Sequence, residues 1–187
     1  FGSSNIEQDV EVIMIAATCL KTLKINETTL HVNNIGSPET RTQYEELLKK
    51  YFTQNISSLS SLSKKRLETN PIRILDSKEK EDLSIIKNAP IIKELLTDSE
   101  KEDFNMLLSN LDTLNVKYEE SPYLVRGLDY YNGTTFEITT RSNKSQNALC
   151  GGGRYDFLVE QMGGPSTPAI GFAAGMERMI IESQYQV

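Results

Sequence analysis

The sequence predicts an α+β protein: strands of a sheet flanked by helices, carrying a small all-helical insertion. Three observations predict it. Residues 9–23 and 38–52 repeat apolar side chains at helical spacing, and residues 130–139 alternate in the manner of a strand. Between them, from Asn55 to about Ser121, the texture breaks into short polar helical segments. The chain is thus divided into 1–54 (helix, strand, helix), 55–121 (helical insertion) and 122–187 (strands and a last helix).

Each element has its own signal. In DVEVIMIAATCLKTL, Ile13, Ala16, Ala17, Leu20 and Leu23 form a helical stripe behind Asp9, read as the N-cap. TTLHVNNIG reads as a strand ending at Gly36. Ser37 then caps a helix with Pro38 at its first position, and Tyr44, Leu47, Leu48, Tyr51 and Phe52 make its apolar face. In the insertion, KKRLETNPIRILD and KNAPIIKELL precede a longer helix. An S-x-x-E box from Ser99 to Glu102 is expected to open that helix, with Phe104, Leu107, Leu108, Leu111 and Leu114 along one side. The serines near position 60 read as a low-complexity entry.

After Pro122, the apolar residues Tyr130, Phe136 and Ile138 alternate with Tyr131, Thr135, Glu137 and Thr139. Tyr130 is expected to face the core. Asp129, Tyr131, Thr135 and Glu137 would share a face open to a ligand, the alternative being a solvated outer face. NALCGGGRYD reads as a strand entering a glycine-rich turn, FLVEQM as a short helix, and TPAIGFAAGMERMIIE as a strand turning at Gly175 into a final helix.

Composition excludes several functions. No apolar run approaches the roughly 20 residues of a membrane helix, and the first residues resemble neither a signal nor a transit peptide, so a cytoplasmic protein is expected. The start at Phe1, already close to a helix, suggests a piece of a longer chain. Cys19 and Cys150 have no partner motif, which excludes a disulfide scaffold and a cysteine zinc site; both are expected to be buried. A net charge of −6 argues against a surface devoted to nucleic acid. Local basicity remains in residues 64–80, with six basic and three acidic side chains, whereas residues 81–120 hold ten acidic and four basic.

The chemistry concentrates in the last third. Arg126 precedes Gly127, Arg154 follows Gly151, Gly152 and Gly153, and Arg178 lies in the first turn after Gly175, where free N–H groups favour an anion. Three such arginines together point to a polyanionic ligand. The glycine run is neither a P-loop nor a dinucleotide fingerprint. His31, the single histidine, sits in a strand and reads as structural, so zinc hydrolysis and Ser-His-Asp chemistry lack their parts; no metal site is expected.

YLVRGLDYYNGTTFE resembles the histidine-specific signature of histidyl-tRNA synthetases, and CGGGRYDFLVEQMGGPSTPAIGFAAGMERM resembles their second signature running into the third class II motif. The resemblance covers about the last third of the chain directly, and the earlier elements are consistent with it. It implies that the strands are part of the class II synthetase antiparallel sheet, with 1–54 and 122–187 as portions of the catalytic domain. It implies activation of histidine with ATP, accompanied by Mg2+, and transfer to tRNA(His), which the insertion could touch. It further implies a homodimer.

By the same resemblance Arg126 is the catalytic arginine, contacting the substrate carboxylate and the α-phosphate. Tyr131 and Tyr155 line the imidazole pocket with Gly152 and Gly153. Arg178, Gly171 and Gly175 belong to the ATP side. Asn132 and Phe157 depart from the usual pattern. The first two class II motifs and the anticodon-binding domain have no counterpart in this stretch, so the piece alone is expected to be inactive. The alternative is a non-catalytic paralogue acting as a histidine or RNA sensor, such as the regulatory subunit of ATP phosphoribosyltransferase. An intact RGLDYY disfavours that, since a sensor needs no α-phosphate cation.

Overall fold

The structure is a computed structural model that describes residues 1–141 and 147–183; the rest of the expected 122–187 portion lies outside the described residues. In chain order the elements are α1 (Ile6–Thr22), β1 (Thr28–Asn34), α2 (Pro38–Gln54), α3 (Ser61–Thr69), α4 (Lys80–Ile86), α5 (Asp98–Thr113), β2 (Tyr118–Glu120), β3 (Asn132–Thr140), β4 (Ala148–Arg154), α6 (Leu158–Gln161), β5 (Ile170–Ala174) and α7 (Met176–Glu182). Short 3-10 turns at Ile56–Ser58, Pro71–Ile74 and Ile92–Glu94 join the helices of the middle region.

Among the described residues the strands form one sheet in the order β2-β1-β3-β4-β5. The β1–β2 pair is parallel and the others are antiparallel. Pairing aligns Val32, Phe136, Gly152 and Phe172 across four strands, and beside them Leu30, Ile138, Cys150 and Ala174. This face packs against Ile6, Val10, Ile13, Ala16 and Leu20 of α1 and Phe104, Leu107 and Leu111 of α5. The opposite face carries His31, Glu137, Gly151 and Ala173 in one row and Asn33, Thr135, Gly153 and Gly171 in the next. Strand alternation therefore separates a core face from a polar face with almost no side-chain bulk over β4 and β5.

A second apolar core lies beside the sheet. Tyr44, Leu48 and Phe52 of α2 meet Leu59, Leu67, Ile72, Ile74, Ile85 and Ile92 there. The stretch 55–121 thus packs in two places, its first part on α2 and its last part, α5 and β2, on the sheet. The serine-rich entry has a purpose that its composition hid. Ser60, Ser63 and Ser77 donate their hydroxyls to the buried Asp82 carboxylate at 2.8, 2.6 and 2.6 Å, and the Ser60 backbone N–H adds a bond of 2.8 Å.

Side-chain caps set the starts of α2, α3 and α5. Ser37 accepts from the Thr40 N–H at 3.3 Å and Pro38 follows it, as expected for α2. Gly36 has φ of 68°, and a Cβ there would lie 2.6 Å from Thr40, so the turn from β1 into α2 needs glycine. The box of α5 is shifted from the expected pair: Thr97 and Glu100 form it, not Ser99 and Glu102. Glu100 also accepts from the Ser37 N–H at 2.6 Å, so one carboxylate joins the starts of α2 and α5.

Some expectations are corrected. Helix α1 begins at Ile6 after Asn5, and Asp9 is a buried partner of Arg154 rather than a cap. Leu114 follows the end of α5 and is 51% exposed. Cys150 is buried but Cys19 is exposed. His31 does serve a structural contact, bridging the Ser121 and Thr139 hydroxyls at 3.0 and 3.1 Å.

Candidate active site

The polar sheet face is where the sequence-singled residues meet. Arg126 comes from the segment before β3 and lies flat across β3 and β4. Its Nη2 donates to the Phe136 carbonyl, its Nε to the Gly152 carbonyl at 3.3 Å, and its Nη1 faces Glu137 at 3.5 Å. This placement depends on what β4 lacks. A Cβ on Gly151 would stand 2.0 Å from Nη2 of Arg126, so an arginine can cross the strand only over glycine.

The tyrosines close one side of this surface. The Arg126 guanidinium carbon lies 5.9 Å from the centre of the Tyr131 ring. The Tyr131 and Tyr155 rings meet edge to face at 6.3 Å, and Tyr130 packs 4.5 Å from Tyr131. Glycines again make the room: a Cβ on Gly153 would lie 3.2 Å from the Tyr131 ring, and one on Gly171 would lie 3.0 Å from the Tyr155 hydroxyl. A Cβ on Gly152 would point the other way, 2.1 Å from the Gly171 carbonyl. Burial, and then the hydrogen bond with Tyr130, push the Tyr131 phenol up to about 12, so it stays protonated near neutral pH.

Arg126, Tyr131, Tyr155, Gly152, Gly153 and Gly171 therefore form one cluster. Arg178 and Gly175 stand apart from it. Arg178 is the third residue of α7 and donates to the Ala148 carbonyl at 2.8 Å, while the Gly175 N–H bonds the Leu149 carbonyl at 2.9 Å. Along β4 the order is Arg178 at its start, Arg126 over its middle and the tyrosines at its end. At about 3.3 Å per strand residue, Ala148 is about 10 Å from Gly151.

The structure also revises the local sequence reading. β3 begins at Asn132, and its register shifts between Asn132 and Thr135. Asp129 and Tyr131 consequently belong to the preceding turn, and Tyr130 stacks on Tyr131 instead of entering the core. Gly151, Gly152 and Gly153 are strand residues, not a turn. Arg154 is no anion site: it is 4% exposed, donates Nε to Asp9 at 3.2 Å and Nη1 to Asp156 at 3.0 Å. The argument from three arginines therefore rests on two. Asn132 binds Asp156 through both ends of its amide, at 2.8 and 3.1 Å, and so fastens the residue after Tyr155.

Sequence reasoning missed Arg41 on α2. Its side chain is buried, with Nη1 donating to the carbonyls of Asp129 and Tyr131 at 3.1 and 3.4 Å and Nη2 meeting the Asp129 carboxylate at 2.8 Å. The available signal was a cation three and seven residues before Tyr44 and Leu48, on the buried side of the helix. Among the described residues no group of three or more His, Cys, Asp or Glu could hold a metal ion. No helix among them is long and apolar enough to cross a membrane.

A family model described as Histidyl-tRNA synthetase matches residues 1–179. A histidine-tRNA ligase of Streptococcus thermophilus is 46% identical over 181 residues, covering 97% of this chain and 42% of the relative. The crystal structure of apo S. aureus histidyl-tRNA synthetase superposes with a TM-score of 0.73 at 34% identity, over 97% of this chain and 44% of that one. A structure described as an ATP phosphoribosyltransferase regulatory subunit/histidyl-tRNA synthetase from Bacillus halodurans gives 0.63 at 21% identity, covering 98% and 52%, a likeness of fold alone. The chain spans less than half the length of the ligases it matches. Helix-flanked, mostly antiparallel and glycine-lined beneath its arginine, the chain belongs to the histidyl-tRNA synthetase family.

Proposed function

We propose that this chain is part of the catalytic domain of a histidine-tRNA ligase, a cytoplasmic and homodimeric protein when complete, and that the piece alone does not complete the reaction. The observation that carries the reading is one guanidinium, Arg126, lying beside the Tyr131 ring, which in turn meets the Tyr155 ring, over a single sheet face. In the reaction the histidine carboxylate attacks the α-phosphorus of ATP, an O–P bond forms, the bridging P–O bond breaks and pyrophosphate leaves. A terminal ribose hydroxyl of tRNA(His) then attacks the activated carbonyl and AMP departs.

Each residue has a task matched to its position. Arg126 is bound to two main-chain carbonyls and is thereby preorganised, so its positive charge meets the charge developing on the α-phosphate without a cost of rearrangement. Tyr131 and Tyr155 offer hydroxyls to an imidazole; Gly153 keeps the floor low beneath it, and Gly152 presents the carbonyl that holds Arg126. Arg178 and Gly175, at the far end of β4, serve the outer phosphates of ATP, and Gly171 shapes the floor between. Mg2+ would accompany the nucleotide, since no group of three or more His, Cys, Asp or Glu among the described residues could hold it on its own. Contact of the helical region with tRNA rests on its basic part, residues 64–80.

The sensor alternative is less well supported, because a sensor of histidine alone has no use for the phosphate contact assigned to Arg126. The test is histidine-dependent ATP–pyrophosphate exchange in a protein completed to the length of the relatives. Arg126→Ala is expected to lower the exchange rate by about 10²- to 10³-fold with a smaller change in histidine affinity. An effect confined to the histidine KM refutes the assigned role.

A further inference from the structure

The turn that carries Tyr131 has no regular structure of its own, yet its ring must be held to within a fraction of an ångström for an imidazole pocket to select. Arg41 supplies the hold. Its Nη1 reaches from α2 to the turn and donates to the main-chain carbonyls of both Asp129 and Tyr131, one on each side of Tyr130. Arg41 is 8% exposed, so these bonds are made away from competing water.

Two further contacts close the grip. The Asp129 carboxylate accepts from Arg41 at 2.8 Å and from the Asn70 amide at 3.1 Å, but it is 78% exposed and contributes less than the carbonyl bonds do. Tyr131 itself packs at the margin of the second core that α2 shares with the inserted helices. Among the described residues no hydrogen bond or ion pair joins Arg41 to Arg126 or Tyr155, and its polar bonds reach the pocket through the turn.

We propose that Arg41 is a positioning residue for the amino-acid pocket, fixing the Asp129–Tyr131 turn and through it the Tyr131 ring. The proposal rests on the assignment of Tyr131 to that pocket. A ring displaced by about 1 Å loses on the order of 10²-fold in a reaction that depends on alignment.

The test uses the completed protein in pyrophosphate exchange, with thermal unfolding recorded for each variant. Arg41→Met is expected to raise the histidine KM by about 10- to 100-fold while the ATP KM moves less than about threefold. Arg41→Lys keeps the buried charge but ends one bond short of Nη1, away from both carbonyls, and should show the same split if the Met variant does not fold. Arg41→Met combined with Tyr131→Phe should be no worse than the stronger single change, since both act on one ring. Asp129→Asn keeps both carbonyl acceptors and should leave the KM within about threefold.

A fall in kcat with both KM values unchanged, tracking only the loss of folded protein, overturns the proposal. So does an Asp129→Asn effect equal to that of Arg41→Met, which would move the hold to the exposed carboxylate. If Tyr131→Phe raises the histidine KM and the Arg41 variants do not, this inference fails alone. If Tyr131→Phe has no effect, the pocket assignment fails and takes the inference with it.

Discussion

Gly151→Ala is the sharpest perturbation of the site, because it adds one methyl group and nothing else. The added carbon would sit 2.0 Å from Nη2, 2.7 Å from Nη1 and 2.8 Å from Cζ of Arg126. Ordinary contact needs about 3.5 Å, so the guanidinium must withdraw by about 1.5 Å and give up its bonds to the Phe136 and Gly152 carbonyls. Gly151 is not among the positive-φ glycines, so alanine fits the backbone, and the displaced group is the end of a flexible side chain. Stability should therefore change little, while the rate should not escape. Loss of one preorganised donor costs about 10²- to 10³-fold, or about 2.7–4 kcal/mol. The assay is histidine-dependent pyrophosphate exchange in the completed protein, run for Gly151→Ala, Arg126→Ala and the double variant. The double variant should match Arg126→Ala. If Gly151→Ala keeps exchange within about threefold of the parent, or lowers the Arg126→Ala rate by its full factor again, the reasoning is refuted.

Other consequences follow from the same contacts. Asp9→Asn leaves the buried Arg154 with Asp156 as its remaining charged partner, and should cost about 3 kcal/mol, lowering the midpoint of thermal unfolding by about 6–12 °C; an unchanged midpoint would show that the pair is dispensable. Burial alone would raise the Asp82 carboxyl, but the bonds from Ser63, Ser77 and Ser60 outweigh it and hold it below its ordinary range. A carboxylate lowered on folding stabilises above its unfolded value near 4 and loses that contribution as pH falls through the folded value. Urea unfolding between pH 6 and pH 3 should therefore show a shallower acid loss in Asp82→Asn than in the parent; equal slopes would remove Asp82 from the account. Glu100, lowered for the same reason by bonds from Thr97 and Ser37 against burial, should behave alike in Glu100→Gln. Tyr131 titrates only near 12, so the histidine KM should show no step from it between pH 7 and about pH 10.

Much of this was legible in the chain. Ser37-Pro38, the apolar stripe of α2 and the alternation of Phe136 and Ile138 are local signals, and they mark their elements because capping and periodicity act over a few residues. The signature RGLDYY likewise pointed to Arg126 and Tyr131, which the structure brings beside one another over the sheet. What failed was also local in origin. Asp9 looks like a cap in sequence, since nothing nearby shows that Arg154 will arrive beside it across the sheet. The alternation was carried back too far because a register shift between Asn132 and Thr135 leaves no trace in composition.

By itself, then, the sequence determined most helices, the strands other than β2, the two faces of β3 and the family to which the chain belongs. Only the tertiary structure decided that Arg126 lies across Gly151, that Arg154 is consumed by Asp9 and Asp156, and that Arg41 underlies the tyrosine turn. The physical reason is range. Caps and periods are settled among neighbours in the chain, whereas a guanidinium finds its carbonyls or carboxylates only when sheet pairing brings together segments far apart in sequence.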